Sequence, residues 1–149
     1  MKALSIESQA ITAAPVRRRR RGQRGSEMIE SALVMLAFMF ILLGAVEFGR
    51  MVFAFNAVSD LAREGSRWAS VRGSTASTPA TNATVSTYVK TWAVGLNPAN
   101  LTVTTTWSPN NNPGVTVDVT VAYTWSAILG ILVPPSMSFQ SSSYMIVLQ

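Results

Sequence analysis

The chain has 149 residues, enough for one modest domain and an apolar anchor, but not for two globular domains and a span. It holds no Cys and no His, which excludes a disulfide framework and His-based acid–base chemistry and leaves a zinc site only carboxylates. The net charge of +5 is local: residues 1–25 carry seven basic side chains against Glu7, whereas residues 73–149 carry only Lys90 and Asp118.

Residues 1–25 show no apolar periodicity. Ala13, Ala14 and Pro15 precede five consecutive arginines at 17–21, and Gly22 and Gly25 follow them, so the segment reads as a disordered basic tail. A basic tail can bind nucleic acid, but one set directly before an apolar run reads as a topology signal, because such flanks stay cytoplasmic. The apolar run is residues 32–46, fifteen positions without a charged or polar side chain. A span needs about 20, and the run reaches that length by taking in Met28 and Ile29 before it and residues 48–55 after Glu47. A cleaved secretory signal is the competing reading, but Glu47, Phe48 and Arg50 stand where a small-residue cleavage site belongs.

The helical pattern continues past the span. Met51, Phe55, Val58, Ala62, Gly65 and Ala69 recur at spacings of three and four, one continuous stripe. No Pro interrupts residues 26–72, and the Arg72-Gly73 pair predicts the helix end. A helix of this length spans roughly 70 Å at 1.5 Å per residue, so about half of it projects beyond a hydrocarbon core of about 30 Å.

A Ser/Thr/Pro loop follows at 73–80. Val85, Tyr88, Val89, Trp92, Ala93 and Leu96 predict a short amphipathic helix, stopped by Gly95 and Asn97-Pro98. Residues 101–107 alternate as a strand, 108–114 carry a turn signal, and 115–124 place Val115, Val117, Val119, Val121 and Tyr123 on one face of a second strand. Residues 125–133 are apolar and end at Pro134-Pro135, a short helix or a buried loop. Residues 136–148 read as a last strand, with Phe139, Met145, Ile146, Val147 and Leu148 as candidate core. Trp68, Trp92, Trp107 and Trp125 are read as core rather than as a ligand site. The plan is α+β: a long N-terminal transmembrane helix extends into a small outer domain of a short helix and a three-stranded antiparallel sheet, one face of which the projecting helix covers. The divisions are a basic cytosolic leader at 1–25, a transmembrane helix at 26–48, its extramembrane continuation at 49–72 and an outer α+β domain at 73–149.

Gly25, Ser26 and Glu30, set between the basic tail and the apolar run, resemble the processing site of type IV pilins and pseudopilins. There a membrane peptidase cuts after a Gly and a Glu lies fifth in the mature chain. Cleavage after Gly25 makes Ser26 the new N-terminus and Glu30 the fifth residue. A carboxylate at the centre of a span costs roughly 2.5–3.5 kcal/mol on insertion scales; near the start it costs less, and a neighbour's terminal ammonium can pair with it. Gly22 with Glu27 is a second register, disfavoured because it leaves Arg24 at the membrane-entering end.

Further on come Glu47-Phe48-Gly49-Arg50 and Ala62-Arg63-Glu64-Gly65. With the Gly-x-x-x-x-Glu start and the apolar helix, this block of about a third of the chain resembles the TadE-like family, pilin-like proteins of the tight-adherence (Tad/Flp) pilus system. The resemblance implies a pilin-like fold in a bacterial inner membrane, with the N-terminus cytosolic and the C-terminal domain periplasmic or extracellular. It implies a minor pilin or pseudopilin that acts by helix packing. The partners it implies are the membrane, a prepilin peptidase, other pilins and the assembly platform, and it implies no cofactor, nucleic acid or small-molecule substrate. A membrane-tethered periplasmic binding module that is never processed is the alternative from a different class.

Glu47 and Arg50 are three apart, and Asp60, Arg63, Glu64 and Arg67 lie within helical reach of one another. Two readings stand side by side: a solvated, charge-laced face, or a collar that sets depth in the bilayer or registers neighbouring subunits. Asn82-Ala83-Thr84 and Asn100-Leu101-Thr102 match the glycosylation triplet, which carries little weight in a bacterial chain. Asp118 is the only acidic residue after Glu64, so the outer domain cannot supply a carboxylate dyad, and no catalytic constellation is present.

Overall fold

The computed structural model describes residues 23–128, 130 and 136–148. The leader expected at 1–25 therefore lies largely outside the described residues, as does most of the apolar segment before Pro134-Pro135. The chain divides into two units, Met1–Phe38 and Met39–Gln149, taken separately below.

In the first unit, the described part is the opening of helix α1 (Gln23–Ser70). Every residue from Gly25 to Phe38 is exposed, including Met28, Ile29, Leu33, Val34 and Leu36. An apolar helix surface with nothing packed on it is unstable in water but at home in lipid or in a helix bundle. The segment Gly25–Ser70 is long and apolar enough to cross a membrane, its best window having a mean hydropathy of 2.4.

In the second unit, α1 ends at Ser70, two residues before the expected end. The reason is that its last carbonyls find partners outside the helix: the Leu148 N–H donates to Ser70 O (2.8 Å), and the Arg72 guanidinium donates to Trp68 O (3.3 Å). Helix α2 (Asn82–Thr91) starts three residues earlier than the periodicity places it. Thr81 is its N-cap, and Thr81 and Thr84 satisfy each other's backbone N–H groups in a capping box. Asn82 of the triplet uses its side-chain oxygen to accept the Thr105 N–H (2.9 Å), pinning α2 to the first strand. Because α2 stops at Thr91, Trp92 leaves the helical register and is 57% exposed, contrary to its expected place in the core. Ala93 and Leu96 remain buried through the following turn, at Gly95 (φ 76°).

Strands β1 (Leu101–Ser108), β2 (Thr116–Ser126) and β3 (Ser136–Ile146) form an antiparallel meander in the order β1-β2-β3. Val121 lies opposite Val103 on one side and Ser141 on the other. Strand β2 runs on through Trp125 to Ser126, because Trp125 keeps the inward alternation of Val117, Val119, Val121 and Tyr123. Trp125 thus belongs to the sheet and not to the apolar segment after it.

The core lies between this inner face and the helices. Helix α1 contributes Ala54, Val58, Leu61, Ala62 and Ala69, and α2 contributes Val85 and Val89. Phe55 departs from the expected stripe: it is exposed on one side and meets the edge of Phe139 at 6.2 Å, while Ala54 takes the buried position. Of the four residues expected as core at the end of β3, only Val147 is buried. Ile146 and Leu148 fall on the outer face by parity, and Met145 points inward at a half-open edge. Val147 exchanges backbone bonds with Val115 and Gly114, which fixes it inward (2.8 Å each).

Candidate functional site: the motif residues along the long helix

Gly25 and Ser26 lie within α1, on a surface open on all sides; a Cβ on Gly25 meets nothing within 4 Å. Glu30 is exposed one turn on, with no ion-pair partner among the described residues. Gly25, Ser26 and Glu30, the residues whose spacing resembles a processing site, therefore lie together on one exposed helical segment.

The second group begins where the apolar run stops. Glu47 is only 5% exposed. Its Oε2 accepts from the Arg50 guanidinium (3.0 Å), the pair expected from spacing. Its Oε1 does something the spacing does not reveal: it accepts the Ile128 N–H at 2.7 Å, across 81 residues of chain. The carboxylate therefore holds the segment that leaves β2. The Arg50 guanidinium lies 5.8 Å from the ring centroid of Trp125, three residues before Ile128, so Glu47 and Arg50 grip the same end of β2. Phe48 and Gly49 face outward.

The third group is one coil further. Ala62 is wholly buried. Gly65 is where α1 touches both of its neighbours: a Cβ there meets Val89 Cγ2 at 2.8 Å and Val119 Cγ1 at 3.0 Å. The position demands a residue without a side chain for reasons of close approach, not of backbone conformation. Ser66, next to it and fully buried, shares a hydrogen bond with Ser143 Oγ (2.8 Å), tying α1 to β3.

The charges of this group divide. Arg63 and Asp60 form a loose exposed pair at 3.7 Å, which fits the solvated-face reading. Glu64 is built in. Its Oε1 accepts from the Tyr88 hydroxyl (2.7 Å) and from Arg67 (2.9 Å), and its Oε2 from the Arg67 Nε (3.0 Å). The Arg67 and Tyr88 hydrogen bonds hold the Glu64 carboxyl below its usual range, and the same carboxylate pushes the Tyr88 phenol up. Tyr88 stacks on Trp68 at 5.0 Å, and the Arg72 guanidinium lies over the Trp68 ring at 4.2 Å. A polar and aromatic seam thus fixes α2 against α1. The sequence offered Glu64 and Tyr88 separately, and nothing in their spacing joined them.

Asp118 stands apart on the outer face of β2, opposite Thr106 and Tyr144. Its Oδ1 is buried without a hydrogen-bond partner among the described residues, and desolvation raises its pKa. Among the described residues no three His, Cys, Asp or Glu side chains gather as a metal site would require.

Residues 25–67 match the family model of the TadE-like proteins. No curated protein and no solved structure matches the chain.

Proposed function

Because residues 25–67 form a TadE-like segment of the kind found in the Tad pilus system, we propose that the chain is a minor pilin or pseudopilin. On this reading it takes part in assembling tight-adherence pili. The family is a structural, pilus-associated one and not an enzyme family, and the role is accordingly one of helix packing. The observation that carries the reading is the coincidence of the matched segment with α1. Within 25–67 the helix is first an exposed apolar surface among the described residues, then packs its later turns on the sheet.

The proposed sequence of events follows the residues. The arginine-rich leader holds the N-terminus in the cytosol of a bacterial inner membrane, with residues 26–48 spanning it and residues 49–149 outside. A prepilin peptidase cuts after Gly25, which removes the charge that prevents the helix from leaving the lipid. Glu30 then offers a carboxylate to the freed terminal amine of a neighbouring pilin, and the exposed apolar surface of residues 28–46 packs with other pilin helices on the assembly platform.

The test is Glu30→Ala in cells that make the pilus. The expected outcome is loss of the chain from sheared pili, with the chain retained in washed membranes. Unchanged recovery in sheared pili overturns the role given to Glu30. Exclusive membrane recovery of a wild-type chain that still carries residues 1–25 favours a tethered accessory module instead.

A further inference from the structure

We infer that the open edge of β3 is a docking site for an extended, uncharged segment of a different protein, which joins the sheet as a fourth strand. The choice of a different protein over a second copy rests on the reading of α1 as a membrane span.

The two edges of the sheet are finished differently. At the β1 edge, α2 packs alongside, and Asn82 Oδ1 accepts the Thr105 N–H at 2.9 Å. At the β3 edge nothing of the kind is found among the described residues. Val147 exchanges backbone bonds with Val115 and Gly114, so by antiparallel alternation the odd-numbered residues of β3 turn their N–H and C=O groups to β2. The even-numbered Ser138, Gln140, Ser142 and Tyr144 turn theirs outward, and these groups have no partner among the described residues. Over eleven residues, Ser136–Ile146, the strand has no charge and no Pro, the devices that keep a bare edge from pairing.

The core is also open at this edge. Met137 and Met145 are each 36% exposed on the inner face of β3, and Phe55, whose ring meets Phe139, is 52% exposed. A fourth strand that alternates apolar and polar residues sets its apolar row over these side chains and its polar row level with the Ser-rich outer face. The occupant is not a second copy. Along α1, Phe55, Ser66 and Ser70 meet Phe139, Ser143 and Leu148 in turn, so α1 runs in the direction of β3. A closed two-fold pairing of β3 with β3 is antiparallel. It sets the two α1 helices head to tail, which two copies spanning one membrane in the same sense cannot do. Addition of β3 to β1 of a next copy meets the covered edge.

The probe is a synthetic peptide with the sequence of Leu101–Ser108, which is uncharged and alternates in the required way. It is added to the full chain in mild detergent, and amide hydrogen exchange is read residue by residue. Without peptide, Gln140 and Ser142 are expected to exchange at least about a hundredfold faster than Ser141 and Ser143. With peptide, the two even-numbered amides slow by about tenfold or more, and a peptide carrying Val103→Pro and Thr104→Pro has no such effect. In the chain, Gln140→Pro removes an outward N–H and leaves the β2 ladder intact, so Ser141 and Ser143 stay protected while the peptide no longer slows Ser142. Ser138→Pro replaces it if that protection is lost. A peptide that leaves Gln140 and Ser142 as fast as before, or acts no better than its Pro-bearing form, overturns the inference. So does protection of these two amides without peptide, which means that the chain itself or a second copy fills the edge. Unchanged pilus recovery of Glu30→Ala overturns the role given to Glu30 above and leaves this inference standing.

Discussion

Glu47 shows how much a single side chain can add to its sequence pattern. Its spacing to Arg50 names one partner, and the fold supplies a second, Ile128, that no local rule brings near it. Removing the carboxylate leaves a backbone N–H without its acceptor, so Glu47→Ala is expected to lower stability by about 1–3 kcal/mol. Amide hydrogen exchange at Ile128 is the direct readout: it accelerates in Glu47→Ala and much less in Glu47→Gln, whose amide oxygen still accepts. Glu64 gives the pH-dependent counterpart. Its carboxyl is held below the ordinary 4.5 in the folded chain by Arg67 and Tyr88. That contribution is complete above pH 4.5 and is lost as pH falls through the lowered value. Tyr88→Phe removes one of the two causes, so the acid limb of a stability–pH curve becomes shallower, while the curve above pH 6 only drops. Asp118 runs in the opposite sense. Burial raises its pKa above 3.8, so its ionisation costs stability once pH exceeds that value. Asp118→Asn is expected to raise the melting temperature at pH 7 and to leave it nearly unchanged at pH 3.

At the scale of elements, the legible parts were those with a strict period. The alternation of β2 and the three–four stripe of α1 announced which faces are buried, and the sheet confirms Val117, Val119, Val121 and Tyr123, as the helix confirms Val58, Ala62 and Ala69. Ends and edges were not legible, because tertiary partners decide them. Leu148 ends α1 at Ser70, the Thr81–Thr84 box moves the start of α2, and the open edge of β3 leaves Met145 half-exposed. Of the motif residues, Gly65 is the one whose chemistry the fold explains most fully. Gly65→Leu drives a side chain into Val89 and Val119, and overpacking of this kind costs about 1–3 kcal/mol. Gly49→Ala, on an open helical surface with nothing within 4 Å, is expected to stabilise the helix by roughly 1 kcal/mol through propensity alone. Thermal unfolding followed by near-ultraviolet circular dichroism of the tryptophans, in mild detergent, separates the two glycines by sign.

At the scale of the whole molecule, one helix carries two kinds of surface. Residues 25–38 are exposed throughout among the described residues, and the later turns bury a stripe of small residues under a sheet. The long apolar helix and the domain that follows it were both readable from composition, because the apolar weight and the Thr-rich strands are so unevenly placed. The clamp between Glu47 and Ile128 and the seam around Glu64 were not, since each joins residues far apart in sequence. We propose that this helix is trimmed and then packed into a fibre. The decisive measurement is mass spectrometry of sheared pili, set against washed membranes of the same cells. The expected result is a chain beginning at Ser26 in the pilus fraction; a chain that retains residues 1–25 and stays wholly in the membranes of peptidase-proficient cells overturns the proposal.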